Sequence, residues 1–114
     1  MASPFLPADW PAPPRIKALT TLRHGLGLSI SPFDAFNLGG RYAEAGDDHD
    51  AIARNRVLLA EHAGLPSSPR WLRQVHGAGV VRFGPDADDG FELDADASVT
   101  DQAGVVLAIL TADC

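Results

Sequence analysis

One segment of this chain reads as a long helix, and little else can. Nine prolines and eleven glycines punctuate the 114 residues, but positions 49–63 hold neither. Asp47, Asp48 and Asp50 crowd the start of that segment. Short acidic side chains there accept hydrogen bonds from unpaired amides and suit the positive end of a helix. Gly64 can adopt the left-handed conformation that closes the helix, and Pro66 prevents its continuation. Ile52, Asn55, Leu59 and Ala63 share one face at helical spacing, with Leu58 flanking them. Asn55 is expected at the edge of that stripe, hydrogen-bonded to a nearby loop, because buried amides need partners. Ligand binding is the alternative.

The remaining segments read as short strands and loops. Pro4, Pro7, Pro11, Pro13 and Pro14 bar residues 2–14 from a helix interior or a central strand. An extended lead-in pinned by Phe5 and Trp10 is expected. Residues 16–22 read as a first strand, 23–31 as a loop around Gly25 and Gly27, and 32–40 as a turn and a short extended piece. Residues 71–75 and 80–83 read as strands, and Gly77 and Gly79 between them would let the two turn back on each other. Residues 94–100 alternate small and acidic side chains and enter another strand. Residues 104–111 are apolar throughout, which suits a strand buried on both faces. Asp86, Asp88 and Asp89 lack the interleaved ligands and closing glutamate of an EF-hand, so they read as a solvated acidic loop. One helix among several strands gives a mixed α/β or α+β fold. No dinucleotide fingerprint and no Walker phosphate loop is present.

Charge and composition exclude several classes. With 46% hydrophobic and 21% charged residues, this is the composition of an ordinary folded domain. A formal net charge of -6 with scattered positive residues argues against nucleic acid and anionic membranes as partners. A single cysteine excludes an intrachain disulfide framework and fits a reducing compartment. The amino terminus lacks a basic start followed by an apolar stretch, and no segment approaches the roughly 20 apolar residues of a membrane span. A cytoplasmic location is expected.

Two positions carry the pointed chemistry. Cys114 ends the apolar run, after Thr111 and Asp113 have made its end polar. A cysteine there is either a small buried hydrophobe or a reactive or ligating thiol at a strand end. His76 sits beside Gly77, as a surface or core histidine or as a ligand. His24, His49 and His62 lie outside any ligand motif.

A set of short motifs then occurs in a telling order: Thr20-Thr21-Leu22-Arg23-His24-Gly25, Pro32-Phe33-Asp34-Ala35-Phe36-Asn37-Leu38-Gly39 and Asn55-Arg56. Trp71-Leu72-Arg73-Gln74-Val75-His76-Gly77, Asp94-Ala95-Asp96-Ala97-Ser98-Val99-Thr100 and Leu110-Thr111-Ala112-Asp113-Cys114 follow. In that order they resemble the laccase-domain family, also called the polyphenol oxidase family, whose members are described as purine nucleoside phosphorylases. The resemblance implies a mixed α/β sandwich, with residues 1–19 as a proline-rich lead-in and residues 20–114 as the N-terminal half of one laccase-like domain. It implies a zinc site built from His76, Cys114 and a further histidine in an Ala-His-Ala-Gly segment beyond this chain. It also implies phosphorolysis of adenosine, inosine and methylthioadenosine, adenosine deamination as a side activity, and a link to peptidoglycan composition. Purine nucleosides and phosphate are then the substrates, and Arg23 and Arg56 are candidate anion partners, since guanidinium matches phosphate with paired donors. Asp113 could position a ligand, shuttle a proton or cap the strand end. Arg23-His24-Gly25-Leu26-Gly27-Leu28-Ser29 carries one residue more than the family's Thr-Arg-x-Gly-Gly-Val-Ser loop. Copper-dependent phenol oxidation is the rival activity, although a multicopper site needs many histidines and this chain has four. A non-catalytic fragment or binding module is the third reading. Lacking a third ligand and half of its core, the chain alone is expected to be inactive and to self-associate.

Overall fold

The structure, a computed structural model, describes residues 4–31, 33–39, 46–85 and 92–111. It separates into two units, Met1–Leu59 and Ala60–Cys114.

In the first unit three residues of the proline-rich segment form a strand. β1 (Phe5–Pro7) pairs antiparallel with β2 (Leu19–Thr21), Phe5 opposite Thr21 and Pro7 opposite Leu19. Ala8 N donates to Ala18 O, and Leu22 N donates to Pro4 O, extending the ladder at both ends. A two-stranded ribbon tolerates Pro7 because an edge strand need not donate from every residue. Trp10 is 54% exposed, so its ring is not buried as a pin for the lead-in. The strand expected over 16–22 is shorter, because Ile16 N donates to Pro13 O in a turn before the ladder begins.

Helix α1 (His49–Ala63) has the expected bounds. Its first intrahelical bond runs from Ile52 N to Asp48 O. Its far end closes as a Schellman motif: Gly64 takes φ +64°, Gly64 N donates to Glu61 O, and Leu65 N donates to Ala60 O. Ala51, Ile52, Asn55 and Leu59 are its buried face. Asn55 lies at the centre of that face, not its edge. It is fully buried, and Oδ1 accepts from Leu28 N at 2.8 Å. Its Nδ2 donates to Ser29 Oγ at 3.0 Å and to Asn37 O at 2.8 Å. Ser29 Oγ donates in turn to the buried Asp47 carboxylate. The amide therefore stitches residues 28–37 to the helix, the loop-bonding role expected of it.

The second unit is parallel where a hairpin was expected. β3 (Leu72–Arg73) pairs with β5 (Leu93–Asp94), and β4 (Val80–Arg82) pairs with β6 (Ala97–Val99), both in parallel. Leu72, Phe83 and Ala95 form the buried core, with Val81 and Val105 packed against it. The glycines between β3 and β4 permit a reversal, but the longer-range pairing with residues 93–99 wins. Residues 104–111 are not a doubly buried strand. Gly104 turns at φ +81°, and one parallel bridge, Arg70 to Leu107, joins the run to its neighbour. Leu107 and Ile109 are 37% and 49% exposed. Burial on both faces needs layers on both sides, and the described residues leave much of the run uncovered. The acidic loop expected at Asp86, Asp88 and Asp89 falls outside the described residues.

Candidate functional site

The site grows from a mismatch between two parallel ladders. Six residues, 74–79, separate β3 from β4, whereas two residues, 95 and 96, separate β5 from β6. The surplus must leave the ladder as a loop. Its neck is closed by consecutive amides: Ala95 N donates to Arg73 O at 3.2 Å, and Asp96 N donates to Gly79 O at 3.3 Å.

Asp96 then fills the loop from below. Its Oδ1 accepts from Val75 N at 3.1 Å and His76 N at 2.8 Å, and its Oδ2 accepts from Gly77 N at 2.7 Å. Three successive amides converging on one anion form a nest. The Gly77 bond holds the Asp96 carboxyl below its ordinary range against the opposing effect of desolvation, and the His76 and Val75 bonds add to it. His76 sits at φ +60°. That left-handed backbone costs a non-glycine residue roughly 1–2 kcal/mol, and the carboxylate beneath it supplies the compensating bonds. The His76 side chain is exposed above a braced backbone.

Gln74 ties the loop's entry to the apolar run. Gln74 Nε2 donates to Leu110 O at 3.0 Å, and Leu110 N donates to Gln74 Oε1 at 2.8 Å. The amide side chain thus imitates a strand neighbour for residue 110. Next to it, Arg73 and Asp94 pair through two bonds of 2.7 and 2.8 Å, chiefly an Arg73 hydrogen bond that lowers the Asp94 pKa.

Of the four expected site residues, His76 lies in the second unit, and Cys114, like Asp113, lies outside the described residues. Arg23 and Arg56 belong to the first unit, and both engage the segment 33–39. Arg23 Nε lies 3.4 Å from Asp34 Oδ2, and Arg23 O accepts from Ala35 N and Phe36 N. Arg56 Nε donates to Leu38 O at 2.8 Å. Arg23 and Asp34 also line an open depression of about 520 Å³ with Ser29, Ile30, Ser31 and Ala35. Sequence reasoning assigned no role to Asp96 or Gln74, although both stood within the quoted motifs.

Among the described residues, no group of three or more His, Cys, Asp or Glu side chains could hold a metal ion. His76 presents an exposed imidazole on a backbone whose amide is held by the Asp96 carboxylate. Among the described residues no helix is long and apolar enough to cross a membrane.

Residues 17–114 match the model of a family described as multi-copper polyphenol oxidoreductase laccase. A purine nucleoside phosphorylase of Xylella fastidiosa (strain 9a5c) is 53% identical over 112 residues, covering 96% of this chain and 43% of that protein. One from Pseudomonas aeruginosa is 46% identical over 110 residues, covering 96% and 41%. The solved structure of a Neisseria meningitidis protein superposes with a TM-score of 0.82 at 41% identity, covering 98% of this chain and 43% of that one. The chain thus spans less than half the length of these relatives.

Proposed function

This chain belongs to the multi-copper polyphenol oxidoreductase laccase family, and we propose that it is the N-terminal part of a zinc-dependent purine nucleoside phosphorylase. The names of relatives at 46–53% identity support the reaction class. The observation that carries the site is the two-way bond between Gln74 and Leu110. It sets the segment bearing His76 alongside the segment that leads, four residues later, to Cys114.

In this reading His76 and Cys114 hold zinc with a third ligand from outside residues 1–114. When bound, the metal supplies a Lewis acid with an open coordination position. The reaction forms a bond from a phosphate oxygen to the anomeric carbon of ribose and breaks the bond from that carbon to the purine, which leaves with a proton. The chain's own tasks are orientation and charge. The Asp96-braced loop fixes His76, and Arg23 and Arg56 are the cations offered to phosphate. Each has structural work as well, since Arg23 faces Asp34 and Arg56 holds Leu38 O. Adenosine, inosine and methylthioadenosine are the proposed nucleosides, and adenosine deamination the side activity.

Copper-dependent phenol oxidation is the second reading, favoured by the family's own description. Four histidines in 114 residues serve it less well. The test is purine release from inosine by the longest native chain carrying this sequence, with and without phosphate, alongside metal analysis. Phosphate-dependent release that is lost in His76→Ala and in Cys114→Ala is the expected result. Phosphate-independent release, no release, or near-parental turnover in either variant would contradict the proposal.

A further inference from the structure

We propose that Asp96 is the positioning residue for His76, holding its backbone in the conformation that presents the imidazole to a metal. The inference rests on the reading of His76 as a ligand and adds the device that orients it. Three features of the loop point to it. First, all three amides of residues 75–77 are spent on this one carboxylate, at 2.7–3.1 Å, so the tip of the turn is held by Asp96. Second, His76 occupies φ +60°, a conformation that a flexible loop would leave. Third, Asp96 is itself fixed, because its own N–H donates to Gly79 O at the neck and Ala95 beside it is buried in the core. A rigid ladder thereby reaches the imidazole through one side chain.

The two oxygens have different work. Oδ1 serves Val75 and His76, and Oδ2 serves Gly77. An asparagine has the same shape but one acceptor. Its amide N–H₂ must face either Gly77 N–H or the Val75 and His76 pair, donor against donor. Asp96→Asn therefore keeps the bulk, sets a donor against at least one amide of the turn and removes the negative charge that holds all three.

The experiment uses the longest native chain that carries this sequence. Zinc affinity is measured by chelator competition, and melting temperature on the zinc-free protein, for the parent, Asp96→Asn and Asn55→Ala. Asn55→Ala is a destabilising control in the other unit. Asp96→Asn is expected to raise the zinc dissociation constant roughly 10–100-fold, as loss of an outer-shell partner does. Asn55→Ala is expected to change it less than about twofold while lowering the melting temperature more. Equal zinc affinity in parent and Asp96→Asn, or a loss that Asn55→Ala reproduces, would overturn the role of Asp96. Should Asp96→Asn not fold, amide exchange in the parent decides: slow exchange at Val75, His76 and Gly77, slower still with zinc, supports the clamp, and exchange at free-peptide rates overturns it. A parent that binds no zinc refutes the ligand reading and this inference with it, a result distinct from an indifferent Asp96→Asn.

Discussion

Gln74 and Leu110, 36 positions apart, bond to each other in both directions through one side-chain amide. Gln74→Ala removes both bonds and leaves the partly buried backbone groups of residue 110 without their partner. Each such group costs about 1–3 kcal/mol when fully buried, and water reaches half-buried residue 110, so a loss of about 1–3 kcal/mol for the two together is expected in urea unfolding of the native chain. Zinc affinity should fall with it, because the segments bearing His76 and Cys114 lose their tie. A change within about 0.5 kcal/mol, the ordinary range for surface substitutions, would show that the pair does not organise the site.

Asn55 carries the loop of residues 28–37. Asn55→Ala strips partners from Leu28 N, Ser29 Oγ and Asn37 O at once. A loss of about 3 kcal/mol is expected from breaking a buried network. Gly27→Ala should act on the same loop, since a Cβ there would stand 2.2 Å from Ala35 O at a φ of +107°. Thermal unfolding of both variants checks this, and a melting temperature within a degree of the parent's for either would contradict it.

The loop around His76 should open in acid. The Gly77 amide, chief among the three bonds, holds the Asp96 carboxyl below the usual value for an aspartate. A depressed pKa contributes stability that is fully present above the unfolded value and is lost as pH falls through the lower folded one. The Gly77 amide resonance followed by NMR should therefore titrate with a midpoint below the usual value for an aspartate carboxyl. A midpoint at or above that value would contradict the three-amide grip.

The chain of 114 residues alone is expected to associate with itself, to bind zinc weakly and to lack phosphorolysis. Leu107 and Ile109, in the run before Cys114, are 37% and 49% exposed. Exposed apolar segments of this kind invite association. Light scattering and zinc titration read out both parts. A monomer with tight zinc binding and turnover would show that the site is complete within these residues.

Legibility in the sequence followed the range of the interaction. The helix was readable because its signals are local: acidic residues before position 49, glycine at 64, proline at 66. Asn55's partnership with a loop followed from the general need of buried amides. The parallel pairing was not readable. The spacing of residues 71–83 fits a hairpin equally well, and only partners 17 to 21 positions later decide otherwise. Asp96 was hidden for the same reason. Its alternating surroundings mark a strand, and nothing local announces that its carboxylate closes a turn 20 positions upstream. The apolar run of 104–111 misled because hydrophobicity reports what a segment needs to bury and not what is there to cover it.

Zinc-edge X-ray absorption of the longest native chain tests the central claim most directly. If His76 and Cys114 share a zinc ion, the spectrum contains a sulfur neighbour at about 2.3 Å and nitrogen neighbours at about 2.0–2.1 Å. Cys114→Ser then removes the sulfur shell, and His76→Ala reduces the nitrogen shell. A spectrum of oxygen and nitrogen alone, or a sulfur shell that survives Cys114→Ser, would contradict it.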